Sequence, residues 1–193
     1  MSQGYLFVMS AASGAGKTTL KDIVLPEFDQ LRYSISCTTR PPRSGEIDGI
    51  HYFFKTKAEF ERMIAQNELV EWNQVHGNYY GTPKRFIEST LAQGASVFLD
   101  LDVFGKVNFD KIFPAAVGIL VEPPSLAILE QRLRARGTES EDVIRLRLEN
   151  SRKEREFAHS QGKYEHVIIN DDLEKATREL RAVFHHYLNN PSA

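Results

Sequence analysis

Ala11-Ala12-Ser13-Gly14-Ala15-Gly16-Lys17-Thr18 is the stretch on which the fold turns. An apolar run at residues 6–9 precedes it, and a helical pattern over 17–25 follows and stops at Pro26. Strand, glycine-containing turn, Gly-Lys-Thr and helix, in that order, are the context a phosphate-binding P-loop requires. Backbone N–H groups of such a turn converge on an anion, and the helix N-terminus adds positive potential. Gly14 and Gly16 let the chain bend and let a phosphate come close. The segment Ser13, Gly14, Ala15, Gly16, Lys17, Thr18, Thr19 is therefore the expected nucleotide triphosphate cradle. Lys17 is expected to reach the outer phosphates and Thr18 to offer a hydroxyl to Mg²⁺. The usual first glycine of the motif is Ala11 here, which is tolerated only if the local φ is negative. Ser13 is not flanked by the glycines of a nucleophile elbow, so covalent catalysis is not expected from it.

Outward from this loop, strands are predicted at 33–36, 97–101, 117–121 and 167–169, and helices at 84–93, 125–136 and 173–188, with helical spacing also through the charged stretch 139–162. Strands alternating with helices imply a parallel sheet covered on both faces. Residues 39–49 hold Pro41, Pro42, Gly45 and Gly49 and read as a loop. Between 52 and 82 the pattern changes to a helix at 58–66 flanked by short segments of alternating and aromatic character, including 69–75 and 78–82, and reads as an inserted α+β piece. The 193 residues fit one domain, and a net charge of −2 gives no field that calls for nucleic acid or an acidic membrane. The first nine residues lack the basic region and apolar length of a signal peptide or membrane span, so a cytoplasmic protein is expected. The single cysteine, Cys37, sits in no metal-ligand spacing and reads as a packing residue.

Phosphoryl transfer needs two anionic substrates held in line with their charge neutralised. A second anion site is therefore sought. Arg40 and Arg43 lie on the proline-stiffened loop, where guanidinium forks can grip a phosphate, and Tyr52 and Tyr80 can add phenolic donors. Two arginines on a loop, taken alone, read more simply as surface solvation. They are not alone. The segments Ser36 to Glu46, Asp48-Gly49-Ile50-His51-Tyr52, Glu71-Trp72, His76-Gly77-Asn78-Tyr79-Tyr80-Gly81-Thr82, Leu99-Asp100-Leu101-Asp102, Pro123-Pro124-Ser125, Arg132 to Thr138 and Asn170-Asp171-Asp172 follow one another in family order. In these the chain closely resembles the guanylate kinase family over nearly its whole length.

The resemblance implies an α/β fold: a P-loop NTPase-type parallel core at about 1–35, 83–125 and 165–193, an inserted GMP-binding subdomain at about 36–82, and a helical lid at about 126–164. It implies ATP-dependent phosphorylation of GMP with Mg²⁺, with dGMP a further acceptor and a monomer or small homo-oligomer expected. Ser36, Arg40, Arg43, Tyr52 and Tyr80 would hold the GMP phosphate, Glu46 would orient the arginines, and Glu71, Thr82 and Asp102 would read the guanine. Guanine presents N1–H and N2–H₂ side by side, and a carboxylate accepts from both; adenine lacks that pair. Arg132, Arg136 and Arg147 would be lid arginines acting with Lys17 and Arg40 on transition-state charge. Asp100 would help hold Mg²⁺ through water, and Asn170 would lie near the adenine. Arg134, Arg145, Arg152 and Arg155 read as solvated. The sequence departs from the family at Phe104, where a glutamine is usual, placing a large apolar group near the acceptor site. Two other readings stand beside this one: a related P-loop kinase with a different acceptor, and a silent guanylate-kinase-like module that binds a peptide. Retention of Lys17, Thr18 and the three lid arginines weighs against the module.

Overall fold

The structure, a computed structural model, describes residues 4–12, 14–75, 77–135, 137 and 140–189. Its elements in chain order are β1 (Leu6–Ala11), α1 (Lys17–Val24), β2 (Leu31–Ser34), β3 (Cys37–Thr38), β4 (Phe53–Phe54), α2 (Lys57–Ala65), β5 (Leu69–Val75), β6 (Asn78–Pro83), α3 (Lys84–Ala92), β7 (Ser96–Asp100), α4 (Val103–Asp110), β8 (Val117–Glu122), α5 (Leu126–Ala135), α6 (Glu141–Gln161), β9 (His166–Ile169) and α7 (Leu173–Asn189).

Five strands form one parallel sheet in the order β2-β7-β1-β8-β9. β1 is central, pairing Val8 with Leu99 of β7 and Met9 with Ile119 of β8. Alternation sends its side chains to two separate cores. Phe7 and Met9 join Leu20 of α1 and Leu180 and Phe184 of α7 on one face. Leu6 and Val8 join Ile87 of α3 and Phe109 of α4 on the other. A strand buried on both faces reads as a continuous apolar run, and that is why 6–9 was legible. The parallel arrangement puts the carboxyl ends of β1, β7 and β8 along one edge, where ligands bind in such sheets.

Two features differ from the sequence-based expectation. α4 was not anticipated. Val103, Gly105, Lys106 and Phe109 are all buried, so the helix shows no clean polar face and carries a glycine inside it. Its lysine is buried because Nζ meets both Asp110 oxygens at 2.6 Å and the Lys163 carbonyl at 2.9 Å. Second, β2 ends at Ser34, which leaves Ser36 in the link to the insert rather than in a strand.

The insert is a second, mixed sheet ordered β4-β3-β6-β5 with α2 packed on it through Cys37, Phe60 and Leu69. Cys37 is thus a packing residue. α2 starts in a capping box, Thr56 and Glu59 each satisfying the other's backbone N–H. α5 and the start of α6 share a small core of Leu129, Leu133 and Ile144. The far end of α6 is anchored to the main sheet through Ala158 against Leu120 and Val103.

Candidate active site

The turn between β1 and α1 forms a cavity of 230 Å³ walled by residues 11, 12 and 14–19. Ala11 closes β1 in extended backbone, and Asn67 is the one non-glycine with positive φ among the described residues, so the alanine at this position is unstrained. Gly14 and Gly16 do adopt φ of +87° and +91°. Gly16 is the N-cap of α1 and lies so close to Asn170 that a Cβ there would stand 2.2 Å from its amide nitrogen. Asn170, buried after β9, donates Nδ2–H to the Ala15 carbonyl at 2.8 Å. Ser13 lies outside the described residues.

Lys17 stands where two cavities meet. It lines the phosphate-loop cavity and also a second cavity of 190 Å³. Its ammonium ion-pairs with Asp100 at the end of β7 and donates to the Leu101 carbonyl at 3.3 Å. Burial would lower its pKa, but the Asp100 carboxylate outweighs burial and holds it above the ordinary lysine value.

The 190 Å³ cavity gathers Ser36, Tyr52, Glu71, Tyr80, Asp100 and Asp102. Glu71 is buried on β5 and accepts from the Thr82 hydroxyl of β6 at 2.6 Å. Burial pushes its carboxyl up to about 8; Thr82 opposes the rise and the nearby Asp102 carboxylate adds to it. Asp102 does not continue β7 in alternation with Asp100. It is the N-cap of α4, its Oδ1 accepting from Phe104 N–H at 2.9 Å and Gly105 N–H at 2.7 Å. Capping fixes the carboxylate at the cavity wall. Asn73 and Val75 of β5 also line this cavity and were missed from the sequence. The signal for them was the period of two counted from Glu71.

A third cavity, of 500 Å³, shares Tyr52, Tyr80 and Asp100 with the second and is lined by Thr18, Arg40, Arg43 and Glu46. Arg40 donates to Glu46 Oε1 at 2.7 Å, and Glu46 Oε2 accepts from the Arg43 N–H at 2.7 Å. The Arg40 hydrogen bond holds the Glu46 carboxyl down at about 2, so it is ionised throughout the physiological range. Thr18 and Asp100 face the same space and offer hard oxygen donors, which suit Mg²⁺. No group of three or more His, Cys, Asp or Glu side chains converges among the described residues. An ion beside Thr18 and Asp100 would therefore take most of its ligands from water and phosphate.

The expected lid arginines are spread out. Arg132 of α5 donates to the carbonyls of Asn170 at 2.8 Å and Asp171 at 3.3 Å. Arg147 lies on α6, and Arg136 lies outside the described residues. Neither Arg132 nor Arg147 lines the three cavities. Arg155, read from sequence as solvated, is instead held by the buried Glu122 at 2.8 Å, which also meets His159 Nε2 at 2.9 Å. Phe104 turns its ring onto Phe157 of α6, centroids 4.5 Å apart, and is not among the residues lining the acceptor-side cavities. The apolar departure therefore faces away from the pocket. No helix among the described residues is long and apolar enough to cross a membrane.

Comparison with known proteins agrees with this geometry. The guanylate kinase family model matches residues 3–187. A guanylate kinase of Symbiobacterium thermophilum is 45% identical over 181 residues, covering 94% of this chain and 84% of that protein. One of Desulfitobacterium hafniense is 42% identical over 182 residues, covering 94% and 90%. The crystal structure of guanylate kinase from Anaplasma phagocytophilum superposes with a TM-score of 0.78 at 28% identity, covering 96% of this chain and 86% of that one. A phosphate loop whose lysine also lines a cavity with a buried carboxylate, on a chain matched over residues 3–187 by one family model, leaves a single assignment: this chain belongs to the guanylate kinase family.

Proposed function

We propose that this chain transfers the terminal phosphate of ATP to GMP, giving ADP and GDP. The observation that carries the reading is the position of Lys17, which walls both the phosphate-loop cavity and the cavity lined by Glu71 and Asp102. One cation thus stands between a triphosphate cradle and a pocket whose buried carboxylate suits a base with adjacent N–H donors.

ATP is held by backbone N–H groups of residues 14–19 and the dipole of α1, with Ser13 and Asn170 completing the set. Asn170 acts through the loop, by its bond to Ala15, as well as by its place near the nucleotide. GMP enters with its phosphate toward Ser36, Arg40, Arg43, Tyr52 and Tyr80. Glu46 keeps Arg40 and the Arg43 backbone in place. Its guanine meets Glu71, Thr82 and Asp102. A Mg²⁺ ion held by Thr18 and, through water, by Asp100 would neutralise charge on the transferred phosphoryl group. Lys17 leaves Asp100 for the β- and γ-phosphates when ATP arrives, exchanging one anionic partner for another. Arg132, Arg136 and Arg147 then close over the phosphates and stabilise the charge that spreads in the transition state. The acceptor oxygen attacks in line, and no covalent intermediate is required.

The test is an ADP-release assay with ATP and Mg²⁺, offering GMP, dGMP, AMP, CMP and UMP in turn. Turnover confined to guanine nucleotides, and reduced by at least about 10²-fold in Lys17→Ala, is the expected result. Folded protein that turns over none of them would overturn the reading and favour a silent binding module.

A further inference from the structure

We infer that Lys21 is a further binding residue of the acceptor site, a third cation that takes the phosphate of the incoming nucleotide beside Arg40 and Arg43. The inference rests on the GMP-kinase reading above and adds to it a charge that the sequence did not point to.

A nucleotide 5′-phosphate carries about 1.5 to 2 negative charges at neutral pH. The two arginines expected to hold it bring little net charge. Arg40 is ion-paired with Glu46 at 2.7 Å, and that carboxylate stays ionised, so the two arginines less Glu46 leave a single positive charge. Ser36, Tyr52 and Tyr80 offer hydroxyl donors but no charge. Asp100 faces the same cavity with Lys17 as its partner, and the reading above sends Lys17 to ATP. The acceptor phosphate is therefore short of one cation, and an anion taken out of water without its full complement of charge binds weakly.

Lys21 is placed to supply it. α1 turns one stripe to the 500 Å³ cavity, Thr18, Lys21 and Asp22, three and four residues apart, while Leu20 and Val24 face the core. Lys21, Arg40 and Arg43 are the lysines and arginines that line this cavity among the described residues. Lys21 does not line the phosphate-loop cavity, whose wall ends at Thr19, so it answers to the acceptor side rather than to ATP. Its side chain is drawn inward, 17% exposed against 63% for Asp22, its ion-pair partner at 3.4 Å. A pair with one member that open to water is weak. What holds the ammonium in is the Tyr33 ring, whose centroid lies 4.4 Å away. Burial, with the Asp100 carboxylate adding to it, keeps the Tyr33 phenol protonated well past the usual range, so the ring stays neutral. A neutral π face orients an ammonium without closing off its three N–H donors, which remain for a phosphate entering the cavity.

The test compares the steady-state kinetics of full-length wild type, Lys21→Met, Lys21→Arg and Asp22→Asn with ATP, Mg²⁺ and GMP. Methionine keeps an apolar stem over Tyr33 and removes the charge. Lys21→Met should raise KM for GMP about ten-fold, the weight of a hydrogen bond to a charged group, and leave KM for ATP within about two-fold. Lys21→Arg should keep most of the GMP affinity. Asp22→Asn, which frees the ammonium from its partner, should lower KM for GMP about two-fold. α1 also carries Lys17 and Thr18, so a merely structural lysine would disturb ATP as much as GMP. KM for GMP unchanged in Lys21→Met, or KM for ATP rising in step with it, overturns the inference. Should Lys21→Met fail to fold, Asp22→Asn at its exposed site decides, and an unchanged KM for GMP there is the same refutation. Wild type that ignores GMP altogether would overturn the kinase reading and this one with it, whereas GMP turnover with an unmoved Lys21→Met removes Lys21 alone.

Discussion

In the proposed reading, Glu71 has to serve two opposed demands. Its burial favours the neutral acid, with a pKa of about 8, yet the N–H donors of guanine favour the carboxylate. GMP binding should therefore expel a proton at neutral pH. KM for GMP should fall about ten-fold per unit as pH rises toward 8 and level off above it. A KM profile that stays flat from pH 6 to 9 would remove Glu71 from base recognition. Stability runs the other way. The folded pKa lies above the unfolded value, so the unfolded chain binds fewer protons between pH 4.5 and 8 and stability is lost as pH rises through that window. Glu71→Gln should accordingly gain in Tm at pH 9 and gain nothing at pH 4, while losing more than about ten-fold in kcat/KM for GMP. Phe104 is the contrasting case. The sequence set a phenyl group beside the acceptor residues, and three-dimensional placement turns it onto Phe157. Phe104→Gln should therefore leave KM for GMP within about two-fold, the range of changes at sites without a direct contact.

At the scale of elements, the phosphate loop is held from behind as well as folded from within. Asn170 follows β9 and bonds the Ala15 carbonyl 155 residues away in sequence, with its amide pressed against Gly16. Gly16→Ala places a methyl group in the left-handed region, costing about 1–2 kcal/mol, and drives it into that amide. Asn170→Ala removes one hydrogen bond, about 1 kcal/mol, and also the obstacle. The double variant should thus be less destabilised in urea unfolding than the sum of the two singles, by more than about 0.5 kcal/mol. Strict additivity would mean that the loop relaxes away from Asn170. This contact also marks the limit of what could be read without the structure. The fully buried strands, the glycine–lysine turn and the alternating segments that become β5 and β6 were legible because each writes a local pattern. The two-residue strands β3 and β4 are too short to carry a period, and α4 buries a lysine and a glycine while exposing Phe104, so all three were invisible. Glu71 and Thr82 were singled out by family order, but their mutual hydrogen bond depends on how β5 meets β6 beside the register shift between Leu69 and Trp72. Asp102 was singled out by family order too, and its place as the N-cap of α4 was hidden along with that helix.

At the scale of the whole molecule, the charges lie apart and their substrates must draw them together. Arg40 and Arg43 are on the insert, Arg132 and Arg147 on the two helices after β8, and Lys17 on the core. Arg132 is bonded to the Asn170 and Asp171 carbonyls and lines none of the three cavities, so it must give up those bonds to reach a phosphate. The cost is offset only when anionic phosphates fill the centre, which ties closure to occupancy of both sites. The parts able to move differ in their ties. Among the described residues the start of α6 shares a core with α5 alone, while its far end is fixed to the sheet at Ala158 and by Glu122 to Arg155 and His159. Closure should then pivot about the fixed end and carry residues 126–150 and the insert inward over the phosphates. A bisubstrate analogue joining adenosine and guanosine through phosphates should reduce the radius of gyration in solution scattering, and ATP or GMP alone should reduce it less. Glu122→Gln, which weakens the pivot without touching a cavity, should loosen the closed form and lower kcat more than it raises KM for either nucleotide. Equal scattering with and without the analogue would mean that the arginines reach the phosphates by side-chain rotation alone, and the Glu122 variant would then keep its kcat.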